Sequence, residues 1–139
     1  MRAVLDTNVL VAAVGSRRGA SNAVLIAAFE GRFDWLVSTP LFLEYEDVLM
    51  RPEVLSRTTM TSTAMSRFLT DVAAAATPVD LHFRWRPLLK DPKDEMVLET
   101  AVNGRADALV THNDGDFAAA RAFDVEVLVP SRFLERIRK

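Results

Sequence analysis

Short apolar runs, each only three to five residues long, alternate along the chain with longer segments whose apolar residues recur at helical spacing. Short continuous runs are typical of strands covered on both faces, and the longer segments are typical of helices packed on a sheet. The runs are RAVL (2–5), FDWLV (33–37), ALV (108–110) and VEVLV (125–129). Their alternation with helices predicts an α/β fold, a three-layer α/β/α sandwich with a mainly parallel central sheet.

Helix-start signals support two of the intervening helices. In the segment 21–31 we expect Ser21 to be the N-cap. In the segment 39–52 we expect Thr39 to be the N-cap and Pro40 to occupy the first helical position, where proline is favoured. A third amphipathic segment follows at 61–75, and its apolar stripe is interpreted as core rather than as a cofactor site; the stripe is Met65, Phe68, Leu69 and Val72.

Composition limits the class of protein. The 139 residues, half of them hydrophobic, contain no repeat or linker, so we expect one folded domain spanning 1–139. The absence of cysteine excludes disulfides and thiolate metal sites, and with only two histidines, His82 and His112, we do not expect a histidine-rich zinc site. Any metal would be held mainly by oxygen.

Charge and hydropathy add two expectations. A formal charge of −2 argues against a generally basic nucleic-acid coat, although it leaves room for a local basic patch around an acidic pocket. The apolar N-terminal stretch MRAVLDTNVLVAAV is interrupted by Asp6 and Asn8, and it has the design of neither a membrane span nor a signal peptide. We therefore expect a cytoplasmic protein without membrane association.

Polar side chains follow two of the predicted strands directly. Asp6 comes after the first strand, and the stretch THNDGDF, with Thr111, Asn113, Asp114 and Asp116, comes after a later one. Ligands of open α/β sheets bind beyond the carboxyl ends of the strands, so these residues are candidates for a site. The structural alternative is a helix cap at Asp6 and an ordinary turn at 111–117.

A third acidic candidate lies in DPKDEMVLETAVNG (91–104), where Asp91 is expected to cap a helix that begins at Pro92. Asp94 then projects close to the middle of an apolar stripe formed by Val97, Leu98, Ala101 and Val102. A buried carboxylate requires a cation or a hydrogen-bond donor, so metal ligation is favoured over a structural salt bridge. On the helix at 39–50, Glu44 and Glu46 border the apolar face, and periodicity does not choose between them.

Four stretches, VLDTNVL, LFLEYEDVL, DPKDEMVLETAVNGRADALVT and THNDGDF, together resemble the PIN domain, the small nuclease module of VapC-type toxins in bacterial toxin–antitoxin pairs. The resemblance implies a PIN-like fold in which Asp6, Glu44, Asp94 and Asp116 converge as the catalytic and metal-binding site. It also selects Glu44 over Glu46, and it makes Asp91 an outer residue or a cap.

The last stretch departs from the commonest family pattern, in which aspartates stand two and four residues after the threonine. Those positions after Thr111 hold Asn113 and Gly115. We match Asn113 to the first aspartate and Asp116 to the one before the aromatic residue, which leaves Asp114 as an inserted turn residue. In the alternative alignment, Asp114 is the ligand.

Carboxylates that share a pocket repel one another unless divalent cations neutralise them, and oxygen ligands select Mg²⁺ or Mn²⁺. Such ions activate water and stabilise a phosphodiester under in-line attack. We therefore expect a metal-dependent endoribonuclease that hydrolyses RNA, with Thr7, Asn8 and Thr111 orienting water or carboxylates. The cations expected to meet the phosphates are Arg17, Arg18, Arg84, Arg86, Lys90 and Lys93.

The resemblance also implies a partner, a small antitoxin whose basic side chain enters the acidic pocket. The apolar edges of the helices at 39–50 and 61–75 are the expected docking surface, and the same surface could instead form a homo-oligomer, in its simplest form a dimer.

Two other functions remain open. One is an aspartate-nucleophile phosphohydrolase, but the haloacid-dehalogenase pattern requires a second aspartate at the position where this chain has Asn8. The other is a PIN-like scaffold or binding module, which would retain only a residual acidic pocket.

Overall fold

A computed structural model describes residues 1–82 and 92–138. Its centre is a five-stranded sheet of order β3-β2-β1-β4-β5, in which every neighbouring pair is parallel. The expected α/β fold with a mainly parallel sheet is therefore confirmed. The strands are β1 (Arg2–Leu5), β2 (Asp34–Ser38), β3 (Thr77–Val79), β4 (Ala108–Val110) and β5 (Glu126–Leu128).

Helices cover both faces of this sheet. The chain crosses from β1 through β2 to β3 in one direction and from β3 through β4 to β5 in the other, so right-handed connections place the two sets of helices on opposite faces. The helices are α1 (Thr7–Gly15), α2 (Ala20–Phe29), α3 (Thr39–Leu49), α4 (Pro52–Thr58), α5 (Ser62–Ala75), α6 (Pro92–Asn103), a 3-10 helix (Asp114–Phe123) and α7 (Pro130–Ile137). No described helix combines the length and the apolar character that crossing a membrane requires.

The four strands predicted from apolar runs are present, within one residue at each end. Strand β3 was not predicted, because it has only three residues and contains Pro78. Proline lacks the N–H that a central strand needs, and β3 accordingly lies at an edge of the sheet. The short helix α4 was not predicted either, because it has only seven residues and starts at Pro52, just after α3, where a proline is typical of a helix end.

Two expected caps are wrong by one or two positions. Gly19, not Ser21, is the N-cap of α2, and Ser21 is a buried residue inside that helix. Ser38, not Thr39, caps α3, because its Oγ accepts a hydrogen bond of 3.3 Å from the Leu41 amide. The expected start of the third helix is confirmed, since Thr61 caps α5. Asp91, the expected cap of α6, lies outside the described residues.

Helix α6 is buried on more sides than its apolar stripe predicts. It packs against β1, β2, β4, α3 and the 3-10 helix, so its polar positions are enclosed as well. Glu95 and Glu99 are 3% and 2% exposed, whereas Asp94 is only half-buried. The predicted stripe is buried at Val97, Leu98 and Ala101, but Asp94 is less enclosed than expected, and the most buried carboxylates of α6 are Glu95 and Glu99.

Candidate active site

The candidate site lies where the strand order reverses, between β1 and its neighbour β4. Leu5 and Val110, the last residues of these strands, are paired in the sheet. Asp6 and Thr111 follow them directly, so their side chains leave the sheet at the same edge. The crevice outside such a switch point is the usual ligand site of an open parallel sheet.

Asp6 is a buried carboxylate held by two hydrogen bonds. The Thr7 amide donates to Oδ1 and the Thr111 hydroxyl donates to Oδ2, each over 2.8 Å. Burial raises the pKa of Asp6, and these two hydrogen bonds and nearby His112 oppose the rise while the charge of Asp116 adds to it. Asp6 is also the N-cap of α1, so capping and a site role are compatible here.

A network around Thr111 fixes the loop that follows β4. The Thr111 hydroxyl accepts hydrogen bonds from the Asn113 amide at 3.1 Å and from Asn8 Nδ2 at 3.4 Å. Asn8 Oδ1 in turn accepts from the His112 amide at 3.3 Å. These bonds tie the start of α1 to residues 111–113, and therefore hold the two strand ends in register at the crevice.

The crevice opens into a cavity of about 780 Å³ with an acidic end and an apolar wall. Glu44 from α3 and Asp94 from α6 join Asp6 at this cavity, whereas Glu46 is exposed and does not line it. Three carboxylates from three separate segments thus face one space. The cavity is lined by Asp6, Thr7, Asn8, Val11, Ala12, Gly15, Ser16, Glu44, Val48, Val54, Arg57, Thr58, Lys93, Asp94 and Asn113.

Two basic side chains also line this cavity. Lys93, in the first turn of α6, forms an ion pair with Glu44, with Nζ 3.8 Å from Oε1. Arg57, on α4, lies along the same cavity. Sequence reasoning missed Arg57 because it missed α4, and an arginine near the end of a short unpredicted helix gives no signal of its own.

Two of the other expected phosphate-binding cations, Arg17 and Arg18, are not brought to the cavity. Arg17 and Arg18 are exposed on the loop between α1 and α2 and do not line it. Arg84, Arg86 and Lys90 lie outside the described residues.

Asp114 and Asp116 both lie in the first turn of the 3-10 helix, are exposed, and do not line the cavity. They differ in their influence on Asp6, because the charge of Asp116 raises the pKa of Asp6 whereas Asp114 is not among the groups that shift it. Within residues 1–82 and 92–138, no three acidic or histidine side chains are grouped as a ready-made metal site. Asp6, Glu44 and Asp94 thus line one cavity, but their carboxylates do not meet at a single point.

The PIN domain model matches residues 2–115 of the chain, which is most of its length. The chain therefore belongs to the PIN domain family. This finding confirms the resemblance read from the four sequence stretches. In this PIN domain the matched segment contains Asp6, Glu44 and Asp94 and ends one residue before Asp116.

The fold of this PIN domain is similar to that of a chain in the crystal structure of VapBC2 from Rickettsia felis bound to a DNA fragment from their promoter. The TM-score is 0.61 with 16% sequence identity, and the similarity covers 91% of this chain and 98% of that one. At this identity the likeness concerns the fold. No curated protein matches the chain.

Proposed function

We propose that this PIN domain is a Mg²⁺- or Mn²⁺-dependent endoribonuclease that hydrolyses RNA phosphodiester bonds. One observation carries the proposal: the carboxylates of Asp6, Glu44 and Asp94, from β1–α1, α3 and α6, line one cavity at the switch point of the sheet. In our proposal the fourth acidic residue is Asp116, which lies in the first turn of the 3-10 helix and whose charge adds to the rise in the pKa of Asp6.

The donor set fits a hard divalent cation. Three carboxylates line the cavity together with Asn8 and Asn113, and carboxylate and amide oxygens are ligands that Mg²⁺ and Mn²⁺ prefer. Desolvation of Asp6 disfavours its charged form, and a bound cation would reverse that penalty. When bound, the metal supplies an activated water and neutralises charge on the phosphodiester.

The chain's own residues have defined tasks in this proposal. Thr111 and Thr7 hold the Asp6 carboxylate in one orientation, so this metal ligand is already oriented before a metal binds. Lys93 and Arg57 supply positive charge along the cavity, where the substrate phosphates would otherwise meet only carboxylates. Carboxylates that could hold a metal and basic side chains that could bind phosphate are both needed for hydrolysis of RNA, and this cavity has both.

We further propose that the protein is cytoplasmic and is the toxin component of a toxin–antitoxin pair. The similarity in fold to a chain of the VapBC2 structure supports this role. A small antitoxin would place a basic side chain among the carboxylates, because an arginine can bind two carboxylate oxygens at once. Co-expression with the product of the adjacent small reading frame, followed by copurification and a growth assay, tests this part of the proposal separately.

The protein is also proposed to form a dimer. A groove of about 240 Å³ lies between α3, α5 and β3 and is lined by Phe42 and Leu43, and the Leu43 side chain is 56% exposed. Exposed apolar area of this kind favours self-association or a protein partner.

The decisive experiment is a cleavage assay on a mixture of RNAs with Mg²⁺, Mn²⁺ or a chelator. We expect cleavage with either metal and none with the chelator. Glu44→Gln should reduce the rate by about 100-fold, whereas Glu46→Gln, a matched change two residues away on the exposed side of α3, should leave it within about twofold. Chelator-resistant cleavage, or equal effects of the two glutamine variants, would refute the mechanism. A wild type that binds Mn²⁺ but cleaves no RNA would instead favour a binding module.

A further inference from the structure

Lys93 and Glu44 form an ion pair inside the candidate site. Glu44 comes from the middle of α3 and Lys93 from the first turn of α6, one residue before Asp94. The Nζ–Oε1 distance is 3.8 Å, and the side chains are 55% and 13% exposed for Lys93 and Glu44 respectively. A largely exposed ammonium therefore reaches towards a largely enclosed carboxylate.

This pair supplies charge compensation where a metal would otherwise be needed. Asp6, Glu44 and Asp94 line one cavity, so negative charge from three segments is gathered there. The Lys93 ammonium balances part of that negative charge beside Glu44. It also gives Glu44 a partner of opposite charge.

The geometry of the pair makes it reversible. A separation of 3.8 Å is beyond hydrogen-bond distance, so the contact is a Coulombic one between a flexible lysine and a carboxylate. Because the Lys93 side of the pair is exposed, the pair contributes little stability, and the four-carbon stem of lysine allows its ammonium to move without moving the helix. A divalent cation at Glu44 would repel this ammonium and release it towards the open side of the cavity.

We propose that Lys93 is an exchangeable counter-ion, which occupies Glu44 in the metal-free protein and moves to a phosphate of the RNA backbone when a divalent metal takes its place. The inference rests on the proposed nuclease function and deepens it. Lys93 thereby competes with the metal for Glu44 and helps to bind the RNA substrate. Removal of its charge should therefore strengthen metal binding and weaken RNA binding.

The test is to measure Mn²⁺ binding by titration calorimetry for the wild type and Lys93→Gln. Loss of the competing ammonium should lower the dissociation constant for Mn²⁺ by about two- to fivefold. Lys93→Arg keeps the charge and should stay near the wild type. Arg57→Gln is the matched control, because it removes one positive charge from the same cavity at a residue that forms no ion pair within residues 1–82 and 92–138. It should change the constant by less than about twofold.

The second arm measures binding of a single-stranded phosphorothioate oligoribonucleotide with Mn²⁺ present. Lys93→Gln should weaken binding and reduce the slope of log K against log salt by about 0.7, the value for one phosphate contact on a single strand. The proposal is overturned if Lys93→Gln leaves Mn²⁺ binding unchanged or weakens it, if Arg57→Gln tightens it equally, or if the salt slope does not change. A wild type that binds no Mn²⁺ at all overturns the proposed function itself, and is thus distinguishable from a failure at Lys93.

Discussion

Thr111 donates a buried hydrogen bond of 2.8 Å to Asp6, a residue 105 positions earlier in the chain. The same hydroxyl accepts hydrogen bonds from the Asn113 amide and from Asn8 Nδ2. Thr111 is fully buried, so water does not replace these contacts. One hydroxyl therefore orients the buried carboxylate of the candidate site and anchors the loop beside it.

Thr111→Val tests this relationship, because valine keeps the shape of threonine and removes the hydroxyl. The Asp6 carboxylate would lose a buried donor, and hydrogen bonds to charged groups contribute about 1.5–3 kcal/mol to stability. We expect a loss of that size in the free energy of unfolding, measured by urea denaturation at neutral pH, together with slower RNA cleavage. Thr70→Val is the control, since this exposed threonine donates its hydroxyl to the Ser66 carbonyl within its own helix. Equal stability of both variants would contradict the role given to Thr111.

The raised pKa of Asp6 predicts how stability depends on pH. Burial raises this pKa above the ordinary aspartate value of about 3.9. At a pH between the ordinary pKa of the unfolded chain and the raised pKa of the folded protein, the folded protein retains a proton that the unfolded chain has released. The free energy of unfolding therefore falls as pH rises through this window. Above the folded pKa the full cost of the buried charge is present; below about 3.9 it is absent.

Asp6→Asn removes this titration and isolates its contribution. In chelator, the free energy of unfolding of the wild type relative to Asp6→Asn should decrease as pH rises through the window, as measured by urea denaturation at a series of pH values. With Mn²⁺ the trend should reverse, because the ionised carboxylate binds the metal; saturation at 100 times the dissociation constant stabilises a protein by about 2.7 kcal/mol. A pH-independent difference in chelator would contradict the assigned cost of burying Asp6.

The residues that follow the strands could be predicted from the sequence, because each strand is recognised from its own apolar residues. Strands buried on both faces appear as short apolar runs, so the residues after RAVL and ALV, Asp6 and Thr111, could be assigned to the edge of the sheet. The hydrogen bond between them could not be predicted, since it depends on the pairing of β1 with β4. Local pattern identifies the ends of strands, and topology decides which ends meet.

The surroundings of α6 and α4 could not be predicted for a different reason. Periodicity assumes that a helix has one buried side, but α6 contacts three strands and two helices, so Glu95 and Glu99 are buried despite their charge. Arg57 reaches the cavity from a helix that sequence did not indicate. Side chains placed by tertiary packing leave no periodic signal, and both errors follow from that.

The choice between Asp114 and Asp116 gives the last prediction. Both are exposed in the first turn of the 3-10 helix, and the charge of Asp116 adds to the rise in the pKa of Asp6. Asp116→Asn should therefore lower that pKa and narrow the pH window in which wild-type stability falls. If Asp116 is the fourth ligand, the same change should weaken Mn²⁺ binding and RNA cleavage by about 10- to 100-fold.

Asp114→Asn is the matched variant, two residues earlier with the same loss of charge, and should change both quantities by less than about twofold. The double variant should behave like Asp116→Asn alone, because Asp114 contributes nothing further to the site. Calorimetric titration with Mn²⁺ and cleavage rates on one RNA, measured for all three variants, decide the question. The opposite ranking would assign the fourth ligand to Asp114 and would shift the alignment of the last motif by two residues.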